Sequence, residues 1–232
     1  MRIVSREEWL AARGELMAEE IRLAKAREAV SARRRRLPAV RIGKEYRLEG
    51  PSGPATLGDL FDGRRQLVVY HFMFAPDWDE GCPHCSFQID GIGHLAHLRA
   101  AGTSLAVVSR APFPKIQRFK ERMGWSLPWF SSHSSDFNHD FRFTIDREPA
   151  PTEYGAPAQN GAEAGAELQT REMPGVSVFL RNGTDILHTY SAYAGEGDVP
   201  FPPSTYNYLD LTPLGRQEGE GSLNWVRHHD RY

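Results

Sequence analysis

A continuous apolar run, Leu67-Val68-Val69-Tyr70-His71-Phe72-Met73-Phe74, constrains this chain most. After a short polar stretch it is followed by Gly81-Cys82-Pro83-His84-Cys85 and then by a helical pattern. A run of this kind, rich in β-branched and aromatic residues, fits a strand buried on both faces of a parallel sheet. Cys82 and Cys85 are the only two cysteines in the sequence. Thiols at i and i+3 on a first helical turn are close enough to close a disulfide, and the free amides there stabilise a thiolate. The pattern is that of a redox switch.

The totals suit one well-cored domain with extensions: 232 residues, 40% hydrophobic, 25% charged, with a formal net charge of -2. No global electrostatic pull toward nucleic acid or membranes follows from that balance. Residues 1–8 lack the apolar core of a secretion signal, and no run approaches the roughly 18 apolar residues of a membrane span. The expected location is the cytoplasm. In a reducing compartment, two cysteines at this spacing point to catalysis or metal binding rather than to a structural staple.

Ser5-Arg6-Glu7-Glu8 reads as a capping box opening a helix over residues 6–35, with Trp9, Leu10, Leu16, Met17, Ile21 and Leu23 as a partial apolar stripe. That stripe needs the domain body or a second subunit to cover it, which leaves room for a homo-oligomer. Residues 1–36 carry 10 Lys/Arg against 6 Asp/Glu. The terminal Arg33-Arg34-Arg35-Arg36 fits cations at a helix C-terminus better than a nucleic-acid patch.

Beyond Pro38, residues 46–54 read as a short strand entering a tight turn and 55–63 as one helical turn ended by Gly63. Apolar positions from Cys85 to Leu98 recur at three- and four-residue steps and predict a helix over 83–100, stopped by Gly102. Residues 104–109 form a second buried strand and 112–123 a helix ended by Gly124. Residues 125–130 read as a strand at the sheet edge. Parallel strands with helical crossovers place ligands at the strands' carboxyl ends, where the 67–74 strand delivers the cysteines. Residues 131–141 read as an ordered loop beside the site. Residues 147–172, poor in large apolar side chains, read as a mobile insertion. A β-hairpin with a primed turn is expected across Asn182-Gly183. The organisation is an N-terminal helical extension (1–37), an α/β domain (38–190) and a C-terminal wrap (191–232) anchored by Tyr206, Tyr208, Leu209, Leu211 and Trp225.

The string from Gly63 to Phe72, followed by Cys82-Pro83-His84-Cys85 and by Pro174 before an Asn-Gly hairpin, resembles the thioredoxin superfamily. Three further segments match one branch of it: Tyr70 to Cys82, Ser135-Asp136-Phe137-Asn138, and Tyr208 to Arg216. That branch is an uncharacterised bacterial family of predicted dithiol-disulfide oxidoreductases, and the resemblance covers nearly the whole chain. It implies a thioredoxin-like α/β fold, a central mixed sheet flanked by helices, with a helical N-terminal and an irregular C-terminal extension. It also implies Cys82 as nucleophile, Cys85 as resolving thiol, and Pro174 as the cis-proline that presents backbone to substrate. Pro174 lies one residue farther from the Asn-Gly turn than in ordinary thioredoxins, and the 75–81 loop is longer.

The activity so implied is thiol-disulfide exchange on a disulfide-containing protein or low-molecular-weight thiol substrate. It draws on a separate electron donor and needs no cofactor. Pro83 fixes the turn, and His84 places charge near Cys82 when protonated. Trp78 and Asp79 are candidates to line the site. Asp79 and Glu80 beside the sulfur are expected to raise its pKa. A zinc site would need two more ligands. His94 lies nine residues past Cys85, roughly 13 Å along a helix, which leaves only loop histidines such as His133 or His139. His94, His97, His228 and His229 read as surface histidines. Two rival readings are a peroxiredoxin-like thiol peroxidase and a redox-gated binding module without turnover.

Overall fold

The computed structural model describes residues 2–145, 170–193, 204 and 226–232. It divides into two compact units, Met1–Pro38 and Ala39–Tyr232. The first is helix α1 (Arg6–Arg34), opened by the expected capping box. The Ser5 hydroxyl accepts from the Glu8 amide at 3.1 Å, and the Glu8 carboxylate accepts from the Ser5 amide at 2.9 Å. None of its side chains is buried, so Trp9, Leu10, Leu16, Met17, Ile21 and Leu23 all remain exposed.

The second unit runs β1 (Val40–Arg41), β2 (Arg47–Gly50), β3 (Gly53–Thr56), β4 (Gln66–His71), α2 (Pro83–Asp90), α3 (Ala96–Ala100) and β5 (Thr103–Ser109). It continues with α4 (Phe113–Arg122), β6 (Trp129–Ser131), α5 (Phe137–Asp140), β7 (Thr144–Ile145), β8 (Arg171–Glu172), β9 (Gly175–Asn182) and β10 (Asp185–Tyr193). Eight strands form one mixed sheet in the order β1-β10-β9-β4-β5-β6-β2-β3, and β7 pairs with β8 apart from it. β4 is central, parallel to β5 and antiparallel to β9, and β9 turns back into β10. A β-α-β unit joined to an antiparallel hairpin in this order is the thioredoxin-like arrangement expected from the sequence.

The apolar run is buried on both faces because its side chains alternate between them. Leu67 and Val69 pack with Ala106, Val108, Phe137, Phe141, Phe143 and Phe179 on one face. Tyr70, Phe72 and Phe74 pack with Val107, Ile116, Phe119, Trp129 and both cysteines on the other. Each fully buried side chain of this size contributes about 1.5–3 kcal/mol. The two faces therefore fix both the register of β4 and the position of the chain that leaves it.

Several expectations are corrected. The helix over 83–100 is two helices, because the Gly91-Ile92-Gly93 stretch favours a break. The Gly91 and Ile92 amides turn to the carbonyls three residues back, at 3.2 and 2.9 Å, and the Gly91 carbonyl accepts the Ser204 hydroxyl at 2.8 Å. β6 is not an edge strand: the β2–β3 hairpin continues the sheet beyond it through the pair Glu49–Ser131. Segment 131–141 holds α5, whose Phe137 packs in the cluster on the face of β4 away from the cysteines, as does Phe141. The insertion ends earlier than expected, since Arg171–Glu172 is strand β8. Residues 147–169 lie outside the described residues.

The hairpin forms with Asn182 opposite Asp185. Gly183, at φ 62°, therefore takes the first loop position, as a type II′ turn requires. β10 runs on to Tyr193, and the anchors Tyr206, Tyr208, Leu209, Leu211 and Trp225 lie outside the described residues.

Candidate active site

The end of β4 and the start of α2 are tied together before any side chain is considered. The Phe72 amide still pairs with the Val108 carbonyl of β5 at 2.9 Å, and the Cys82 amide donates to the Met73 carbonyl at 3.0 Å. The nine residues between form a loop that returns to the strand end. Cys82 is the N-cap of α2 and Pro83 its first helical residue, where the missing amide costs nothing. The Ser86 hydroxyl donates back to the Cys82 carbonyl at 3.0 Å, closing the first turn.

Both cysteines are free thiols and approach to 3.9 Å. Disulfide formation would bring the sulfurs to about 2.05 Å, a small closure for neighbouring side chains on one turn. Cys82 is 7% exposed and Cys85 1%. The Cys85 thiol is hydrogen-bonded to Cys82 and brings it down from 9.0 to about 7; burial works against this, and the backbone amides of Cys85 and His84 support it. Roughly half of Cys82 is then thiolate at pH 7, against about one in a hundred for a thiol at 9. For Cys85 the dominant effect is burial, which pushes it well above 9.0. The Cys82 sulfur adds to that, while the Met73 amide and the Tyr70 hydroxyl oppose it.

The expected influence of the acidic loop is overturned. Glu80 is held by Arg122 at 2.8 Å and by Arg231 at 2.9 and 2.6 Å. These contacts, Arg122 foremost, keep its carboxyl below the usual range. Arg122 also binds Asp230 at 2.8 and 3.1 Å. The charge beside the nucleophile is therefore matched by two guanidinium groups. Trp78, Asp79 and His84 are exposed. The loop is further pinned by Lys115, whose ammonium donates to the Pro76 and Trp78 carbonyls at 2.7 and 2.8 Å.

His228 is also corrected. It is 3% exposed, and its Nε2 donates to the Gly81 carbonyl at 2.9 Å, one residue before the nucleophile. Its ring meets Phe119 edge-on at 5.4 Å. The neighbouring His229 contacts Asp90 at the end of α2 at 2.7 Å. Pro174 stands just before β9, whose first residue, Gly175, pairs with His71 at the carboxyl end of β4. No cis peptide bond occurs among the described residues, so the Met173–Pro174 bond is trans, against the expectation. His71 itself points away from the cysteines, stacked on Phe143 at 3.6 Å, and burial holds it neutral at about 3.

His94 does not continue the helix that carries Cys85, which stops at Asp90, so helical rise does not set its separation from the cysteines. Among the described residues no three His, Cys, Asp or Glu side chains cluster as a metal site would require. No helix among them is long and apolar enough to cross a membrane.

Fold and site together define a thioredoxin-like protein with a paired thiol at the amino end of the helix after its central strand. The whole chain, residues 1–232, belongs to the family described as "Bacterial protein of unknown function (DUF899)". No curated protein matches it. Similar solved structures include the bacterioferritin comigratory protein of Xanthomonas campestris, at TM-score 0.46 and 14% identity over 66% of this chain and 82% of that one. PrxQ of Xylella fastidiosa gives TM-score 0.46 and 13% identity over 71% and 87%. Peroxidoxin BcpB of Mycobacterium tuberculosis gives 0.43 and 15% over 66% and 86%.

Proposed function

We propose that the protein is a dithiol-disulfide oxidoreductase acting on a disulfide-containing protein or a low-molecular-weight disulfide. The observation that carries this is the asymmetry of the pair: a Cys82 brought down to about 7 stands 3.9 Å from a buried, protonated Cys85. The Cys82 thiolate attacks one sulfur of the substrate disulfide, forms a mixed disulfide and releases the first substrate thiolate, which takes a proton from solvent. Cys85 then loses its proton and attacks the Cys82 sulfur. The second substrate thiol leaves, and the protein is left as the Cys82–Cys85 disulfide. Two electrons pass to the substrate, and an external dithiol donor restores the protein; run backward, the same steps oxidise a substrate dithiol.

In this scheme Pro83 sets the turn and the His84 amide stabilises the thiolate. Trp78 and Asp79 form the exposed rim. The test is catalysed reduction of a protein disulfide by a small dithiol. Turnover that vanishes in Cys82→Ser supports the proposal, and wild-type turnover no faster than the dithiol alone overturns it.

A second reading, a thiol peroxidase, draws on the pairing of Glu80 with Arg122 and Arg231, which removes an objection to a reactive Cys82 thiolate. That thiolate would attack the peroxide O–O bond, giving a sulfenic acid and an alcohol or water. Cys85 would then condense with it, releasing water. Peroxide consumption faster than that of a free thiol at equal concentration supports it; a rate equal to the free thiol's removes it.

A further inference from the structure

The second half of thiol-disulfide exchange asks the most of this site. Cys85 must become a thiolate to attack the mixed disulfide, yet it is 1% exposed. Water cannot solvate the charge, so the protein must. The cluster around Cys85 is apolar nearly throughout: Phe72, Phe74, Ile89, Val107 and Ile116 are all buried there. The groups turned toward its sulfur are few. From its own helix there is Cys82, from the strand exit the Met73 amide, and from β4 the hydroxyl of Tyr70. Among these the phenol is the one side chain that can donate a hydrogen bond to the Cys85 thiolate once Cys82 is tied up in the mixed disulfide.

Tyr70 is placed for this by the alternation of β4. With Leu67 and Val69 on the opposite face, Tyr70 and Phe72 fall on the face that α2 covers, directly beneath the dithiol. Its side chain is 5% exposed and packs in the same buried cluster as Cys85, and its hydroxyl is among the groups that bear on the Cys85 thiol. A tyrosine in such a place is a costly choice for a core position unless its oxygen is used.

We propose that Tyr70 is a catalytic residue of the resolving step, donating its hydroxyl proton in a hydrogen bond to the Cys85 sulfur as that sulfur becomes the attacking thiolate. The phenol keeps its proton throughout, and burial supports this by pushing its ionisation well above 10.0. The Cys85 proton is lost to solvent before the attack, the Cys85–Cys82 bond forms as the bond from Cys82 to substrate breaks, and the departing substrate thiolate takes a proton from solvent where its own pKa requires one. A hydrogen bond to a buried ion is stronger than one to a neutral thiol, so the contact tightens as charge develops.

This assignment rests on the dithiol reading, and one stopped-flow experiment separates the two. The reduced full-length protein is mixed with the symmetrical disulfide of thionitrobenzoate, whose released thiolate is coloured. Attack by Cys82 releases one equivalent, and attack by Cys85 on the mixed disulfide releases the second. Tyr70→Phe, which keeps the ring, is expected to leave the first phase within twofold of wild type and to slow the second by roughly 10- to 100-fold. The pH midpoint of the second phase is expected to rise by about one unit or more. A packing defect would slow both phases or lower the melting temperature without moving that midpoint. Equal slowing of the two phases, or an unchanged second phase, overturns the assignment of Tyr70 while leaving the dithiol reading in place. A wild-type protein that releases no second equivalent overturns both.

Discussion

The Nε2 of His228 donates to the carbonyl of Gly81 across 147 residues of sequence, at 2.9 Å and out of contact with solvent. The residue before the nucleophile is thus held by the segment Val226–Tyr232, and around this bond Glu80, Arg122, Asp230 and Arg231 form a half-exposed ionic cluster. The ionic contacts are worth little each, since water and salt screen them, whereas the buried hydrogen bond is expensive to leave unmade.

His228→Ala is therefore expected to cost about 1–3 kcal/mol in denaturant unfolding and to quicken alkylation of Cys82 as the loop loosens. Alkylation at the wild-type rate would show that His228 does not restrain the nucleophile.

Gly81 is required by space rather than by backbone angle. A Cβ there would stand 2.5 Å from a ring carbon of Phe72 and 2.8 Å from one of Phe119. Both rings are core residues of the site face and cannot both yield. Gly81→Ala is expected to destabilise the protein by about 1–3 kcal/mol, read as a lower urea midpoint at unchanged slope.

The depressed Cys82 thiol links stability to pH. Its ordinary value of 9.0 applies to the unfolded chain and about 7 to the folded one. Between pH 7 and 9 the unfolded chain holds a proton that the folded chain has lost, so stability rises with pH across that window. Cys85, raised well above 9.0 in the folded chain, keeps its proton there while the unfolded thiol begins to lose its own near pH 9, so it takes back a small part of the gain at the top of the window. The reduced protein is expected to gain stability from pH 7 to 9, and Cys82→Ser to lack that gain. Parallel pH profiles for the two would contradict it.

Arg122 matches the charge of Glu80 and anchors Asp230. Arg122→Met is expected to leave Glu80 with Arg231 and, at 3.8 Å, the His228 ring, and to raise Cys82 above 7 by about half a unit. The check is the pH dependence of thiolate absorbance.

Local pattern carried the site's scaffold. The Leu67–Phe74 run could be placed on a central strand because burial on both faces leaves no polar alternation. Cys82 and Cys85 could be placed on a first helical turn because Pro83 fits there. The helix break after Asp90 had a signal in Gly91 and Gly93, outweighed by apolar spacing that continued through Leu95 and Leu98. Tyr70 also had one: period-two counting from Leu67 puts it on the face opposite Leu67 and Val69, although the sequence does not say which face α2 covers. His228 had none, because its partner Gly81 is distant in sequence and a backbone carbonyl leaves no trace in side-chain pattern. The β2–β3 hairpin was half visible as a strand and turn. Its pairing beyond β6 rests on the single match of Glu49 with Ser131.

The division of labour between the two thiols is tested most directly by trapping. Cys85→Ser protein, incubated with a disulfide-bonded protein substrate and analysed by non-reducing mass spectrometry, is expected to carry the substrate on Cys82 as a stable mixed disulfide. Wild type under the same conditions is expected to release it and end two hydrogens lighter. A Cys85→Ser protein that stays unmodified, or a wild type that retains the substrate equally, would contradict the account.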